Sequence, residues 1–136
     1  MTETKYGKYI IKRPVGKSVF EQITAPEVQI SGQNDLKGSD FSMNWSYITQ
    51  PFMMYDEACV YDFDRILYFI GEDPNEVTAF DAEIELFLGE EREKQLINTT
   101  SFVYITGGLK HCPLEIKRVG KPFLFIDMLF SSRLPE

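Results

Sequence analysis

Residues 59–71 read Cys59-Val60-Tyr61-Asp62-Phe63-Asp64-Arg65-Ile66-Leu67-Tyr68-Phe69-Ile70-Gly71. The last six form a short apolar run that Gly71 ends, the pattern of a strand buried on both faces. Upstream of it, Cys59, Tyr61, Phe63 and Arg65 alternate with Val60, Asp62 and Asp64. Strand alternation places Asp62 and Asp64 on solvent if the first set faces inward. Downstream, Glu72-Asp73-Pro74-Asn75-Glu76 is an acidic turn, because Pro74 lacks a backbone donor and restricts its predecessor.

The same two-residue period recurs on either side. Phe41, Met43, Trp45 and Tyr47 alternate with Ser42, Asn44, Ser46 and Ile48. Residues 83–88 alternate charged with apolar side chains before Gly89, the mark of a strand with one wet face. Residues 101–105 are β-branched and aromatic and stop at Gly107-Gly108. Residues 114–119 alternate again, and Gly120-Lys121-Pro122 turns the chain into the apolar stretch 123–130. Residues 90–96 have the composition of a charged helix surface, but they follow Gly89 and run straight into Asn98-Thr99-Thr100. A hairpin turn followed by a strand fits them better. Residues 31–42 hold Gly32, Asn34, Asp35, Gly38 and Asp40 and read as a loop. Many short strands separated by turns make the class mainly β, a sandwich or small barrel.

Composition sets outer limits. The chain has 136 residues, 43% hydrophobic, with 14 basic and 21 acidic side chains and a net charge of −7. That length suits a single domain, taken here as 1–136, with a core that needs no staples. A pI near 4.8 without clustered Lys or Arg argues against binding nucleic acid. No apolar run approaches the roughly 20 residues of a membrane span, and the first residues lack a signal-peptide pattern. A cytoplasmic setting with reduced Cys59 and Cys112 is the expectation. The single histidine, His111, rules out a His-rich metal site built from one chain.

Two segments resemble the motifs of the cupin superfamily. Residues 59–71 are similar to its first motif, His-x-His, three residues, Glu, then a strand ending in Gly. Residues 104–111, Tyr104-Ile105-Thr106-Gly107-Gly108-Leu109-Lys110-His111, are similar to its second, Pro-x-Gly-x-x-His, with Thr106 in place of the proline. The resemblance spans about residues 50–130 and implies a double-stranded β-helix, a jelly-roll barrel. It assigns 50–130 to the barrel core and 1–49 to N-terminal and outer strands. In the family, three His and one Glu hold a metal; the corresponding residues here are Cys59, Tyr61, Arg65 and His111. One position of four is kept.

Arg65 has no lone pair to give and keeps its charge at any ordinary pH, so it opposes a dication. The reading favoured is a pocket with no cofactor in the conventional metal site. A divalent metal (Zn, Fe, Ni or Cu) on Cys59, Tyr61 and His111 is the other possibility. Each residue also has a plain role. His111 suits a satisfied core histidine, Cys59 a small buried hydrophobe and Tyr61 a pocket wall. Arg65 suits an ion pair with Glu57, Asp62 or Asp64.

Three functions follow. In the first, the barrel binds a small polar or anionic ligand through Arg65, His111 and Tyr61. In the second it is an enzyme: a metal-dependent dioxygenase or isomerase, or a metal-free epimerase-type catalyst with His111 as base and Tyr61 as acid. In the third it is a non-catalytic interaction protein whose pocket is filled. The resemblance also implies a homodimer, with residues 5–13 supplying an N-terminal strand.

Overall fold

The computed structural model describes residues 4–134. The strands are β1 (Val15–Gly16), β2 (Glu27–Ser31), β3 (Ser42–Ile48), β4 (Phe52–Tyr55), β5 (Arg65–Ile70), β6 (Ala82–Leu88), β7 (Glu93–Ile97), β8 (Ser101–Ile105), β9 (His111–Val119) and β10 (Phe123–Leu129). They build a six-stranded sheet in the order β1-β2-β3-β10-β5-β8 and a four-stranded sheet in the order β4-β9-β6-β7, with antiparallel pairing throughout. Strands distant in sequence interleave in both sheets, so the fold is a jelly-roll sandwich. Leu67 and Phe69 of the first sheet meet Ile84, Leu86, Leu114 and Ile116 of the second, all essentially inaccessible to solvent.

The expected strands at 83–88, 101–105, 114–119 and 123–130 appear as β6, β8, β9 and β10. The acidic stretch after Gly89 is a turn into β7. Gly89 sits at φ +83°, a region that a residue without Cβ enters freely.

Several expectations are corrected. β5 is buried on one face only, through Arg65, Leu67 and Phe69, whereas Ile66, Tyr68 and Ile70 are half-exposed. Neighbouring strands cover its edges, and the second sheet lies on one side alone. Residues 31–42 carry a short helix, α1 (Gly32–Asp35), whose first turn is capped by the Ser31 hydroxyl accepting from Asn34 N–H at 3.1 Å. Residues 5–13 do not form a strand. Gly7–Tyr9 is a single 3-10 turn, and Arg13 at φ +53° followed by Pro14 breaks the extension.

β3 turns its sides against the usual rule. Ser42, Ser46 and Ile48 are buried, whereas Met43, Trp45 and Tyr47 look outward. Register explains the pattern, since Trp45 pairs with Val28 and Ile126, Ile126 with Tyr68, and Tyr68 with Phe102. An apolar ladder therefore crosses the outer face, and the small polar residues of β3 line the interior, where they leave room.

Candidate functional site

Arg65 opens β5 on the inner face, and Asp127 lies on the adjacent β10, one pleat from Leu129, the residue opposite Arg65. This diagonal lets the guanidinium meet the carboxylate edge-on. Nε donates to Oδ1 at 2.8 Å and Nη2 to Oδ2 at 2.6 Å, a paired contact between side chains 1–2% exposed. Burial works against the charge on Arg65, and attraction to Asp127 with its hydrogen bonds more than reverses this, raising its pKa above the ordinary value. Nη2 also donates to the Tyr55 hydroxyl at 3.3 Å. Burial, with the Asp127 charge adding to it, pushes the Tyr55 phenol up to about 12, so it stays neutral.

Nη1 of Arg65 lies 3.2 Å from Nε2 of His111. Arginine has donors only, so Nε2 accepts, and Nδ1 carries the ring hydrogen and donates it to the Leu109 carbonyl at 2.9 Å. Burial, reinforced by the Arg65 charge, holds His111 below its ordinary 6.5. The imidazole is neutral at pH 7, with its lone pair directed at the centre.

Cys59 reaches the same point from the other motif. Its backbone exchanges hydrogen bonds with that of His111, at 2.9 and 3.0 Å, and its Sγ lies 3.3 Å from Nε2. The turn between β8 and β9 holds the motifs together: Gly108 N–H donates to the Tyr61 carbonyl at 2.8 Å, and Gly108 sits at φ +89°. Tyr61 stacks on Phe63 at 4.9 Å and lies 5.7 Å, centroid to centroid, from the His111 ring.

The four residues expected from sequence thus gather in one region, but not by strand alternation. The strand begins only at Arg65, and Cys59, Tyr61 and Phe63 sit on the loop before it. Asp62 is exposed as expected. Asp64 is half-buried: it accepts from Gly107 N–H at 2.8 Å and from the Tyr104 hydroxyl at 2.9 Å, and these bonds lower its pKa. The ion-pair partner of Arg65 is Asp127 rather than Glu57, Asp62 or Asp64. Sequence reasoning missed Asp127, although a lone carboxylate in the apolar run 123–130 was a signal. Tyr55 was missed with no comparable signal, and Cys112 was missed although Pro113 beside it marks a break in strand alternation.

Beside this centre lies a cavity of about 260 Å³. Glu27, Gln29, Asn44, Ser46 and Asp127 face it from the six-stranded sheet and Tyr55 from β4, with apolar cover from Phe20, Ile23 and Phe125. Arg65 therefore occupies the middle of the barrel without filling it.

No protein-family model and no curated protein sequence matches the chain. Solved structures do. An oxalate oxidase in complex with glycolate superposes with a TM-score of 0.56 at 10% identity, covering 93% of this chain and 61% of its own. The oxalate decarboxylase of Bacillus subtilis superposes at 0.53 and 7% identity, covering 82% of this chain and 26% of its own. This chain thus spans less than two-thirds of either protein. The likeness is one of fold alone, a cupin-like jelly roll. The decarboxylase has Mn(II) centres. Manganese(II) favours oxygen and imidazole donors, and the positions corresponding to the cupin ligands do not fit it. Arg65 holds a cation beside the only imidazole and engages the nearby Asp127 carboxylate. Two of those positions, Cys59 and His111, also form a group with Cys112 whose ligand atoms lie within 4.8 Å of one another, compatible with a divalent metal. Among the described residues no helix is long and apolar enough to cross a membrane.

Proposed function

We propose that the barrel is a receptor for a small, hydroxyl- or amine-bearing molecule, bound in the cavity between β2, β3, β10 and Tyr55. The observation that carries this reading is the polar lining of an interior space. A barrel whose sole task was to hold itself together would fill that space with apolar side chains. Gln29 and Asn44 offer amide donors and acceptors, and Ser46 a hydroxyl. Glu27, 6% exposed, accepts from Gln29 at 2.7 Å and keeps further lone pairs for a ligand donor.

The lining favours a neutral or cationic ligand over an anion. The carboxylate-binding edge of Arg65 is taken by Asp127, and Glu27 adds negative charge beside it. Oxalate and glycolate, which appear with the structural neighbours, are therefore expected to be poor ligands here. At about 260 Å³ the space lies just below the usual range of about 300–1,000 Å³, which limits the ligand to a small molecule.

Thermal-shift and calorimetric screens with polyols, monosaccharides, small amines and carboxylates test the reading. Stabilisation by a polyol or amine, lost in Ser46→Trp and weakened in Asn44→Leu, supports it. A screen in which nothing binds, or in which only carboxylates bind and Ser46→Trp has no effect, overturns it.

A further inference from the structure

We propose that the molecule bound in the cavity is a small primary ammonium carrying a hydroxyl group, a short amino alcohol, and that Glu27 selects it by charge. This rests on the receptor reading above and narrows it. Two carboxylates face the cavity, Glu27 and Asp127, 6% and 1% exposed. Asp127 is matched by Arg65 through two hydrogen bonds. Among the described residues Glu27 stands in no ion pair. The donor on its side chain is neutral, the Gln29 amide nitrogen at 2.7 Å from Oε1. A carboxylate withdrawn from water is costly without a positive partner, and the protein supplies one to Asp127 but not to Glu27. A cationic ligand supplies it.

The fold holds Glu27 towards the cavity rather than towards solvent. Glu27 opens β2 on the inner face, and Gln29, two residues on, points the same way. Gly16 of β1 lies opposite Glu27, and a Cβ there would collide with the Gln29 amide oxygen. The glycine thus leaves room for that amide to turn its nitrogen to Glu27 and to the Lys17 carbonyl, 3.4 Å away.

The remaining lining suits an organic ammonium better than a metal ion. A hard dication such as calcium asks for about 6–8 oxygen ligands. Phe20 and Tyr55 instead present aromatic surface to the same cavity, with ring centroids 5.5 Å apart at 87°. Such rings pack against a short carbon chain and attract the cation at its end. For the hydroxyl group, β3 offers Ser46 and Asn44, the latter opposite Gln29 on one side and Asp127 on the other. The Tyr55 hydroxyl accepts from Arg65, so its own hydrogen is left to donate. An anion would meet Glu27 with like charge, and a neutral polyol would leave it without a positive partner. Val19, which lines the cavity and is 74% exposed, marks the mouth.

Isothermal titration calorimetry of the full chain in metal-free buffer tests the proposal with pairs that differ only in ammonium against hydroxyl. Ethanolamine is compared with ethylene glycol, and serinol with glycerol. Each amino alcohol is expected to bind roughly 10-fold tighter than its polyol partner, the factor by which a charge-assisted hydrogen bond exceeds a neutral one. Glu27→Gln keeps the shape of the side chain and removes its charge. It should erase the preference, leave polyol binding unchanged and leave the circular dichroism of the protein unaltered. Glu27→Asp, which draws the carboxylate back by one methylene, should weaken the amino alcohols while keeping the preference. Equal binding of amino alcohol and polyol, or a preference that survives Glu27→Gln, overturns the proposal. So does Ca²⁺ that binds more tightly than ethanolamine and displaces it. In those cases the receptor reading still stands if Ser46→Trp abolishes polyol binding. If neither amino alcohols nor polyols bind, both readings fall.

Discussion

Arg65 carries a full charge into a space that water scarcely enters, and Asp127 makes this tolerable. Removing one partner leaves the other buried and unpaired. Arg65→Ala or Asp127→Ala is therefore expected to cost about 3–5 kcal/mol in urea unfolding. The double replacement Arg65→Met, Asp127→Leu should recover most of that, because an apolar pair of similar volume needs no compensation. Asp64, next in sequence, shows the opposite economy on a half-buried loop. The Gly107 N–H and the Tyr104 hydroxyl both bond its charged form and lower its pKa from 3.8. A depressed folded value means stability that is present above the unfolded value and lost as pH falls through the folded one. A carboxyl titration followed by NMR should place Asp64 below 3.8, and Tyr104→Phe should move it upward.

At the scale of the element, β5 and β9 show how regular pattern and local irregularity divide the work. β5 alternates cleanly, so its two faces can be tested against each other. Leu67→Ala empties a fully buried site and should lower stability by about 2–5 kcal/mol. Ile66→Ala, on the half-exposed face, should cost less than half of that in dilute protein by the same measurement. β9 is the exception that matters for chemistry. Its sequence, His111 through Val119, shows alternation only from Leu114 onward, and Pro113, a residue that interior strands admit at bulges, is the one mark of the irregularity that turns Cys112 inward. The positions of β5, β6, β8 and β10 were legible because period-two alternation and glycine stops are local signals. β4 was not legible, since Phe52-Met53-Met54-Tyr55 has no alternation of polarity.

On the scale of the whole molecule, charge and apolar surface are segregated. The ladder Val28–Trp45–Ile126–Tyr68–Phe102 across the outer face of the larger sheet holds no charged side chain, in a chain with 14 basic and 21 acidic ones. Pairing through N-terminal strands, which the family resemblance implies, would need an extended segment at residues 5–13, where Gly7–Tyr9 makes a 3-10 turn.

The amino-acid sequence by itself determined the strand-rich class, the cupin-like motif positions and the scarcity of imidazole. Each depends on residue type and near spacing along one chain. Only the tertiary structure decided what those residues meet. Arg65 finds Asp127 across 62 positions because β5 and β10 are neighbours in a sheet ordered by topology rather than by sequence. Cys112 joins Cys59 and His111 because a misfit between β6 and β9 rotates one side chain inward. The polar residues of β3 line a cavity because register, not hydrophobicity, chose which face turned to the interior. Alternation states that a strand has two faces; the partners packed around it decide which one is inside.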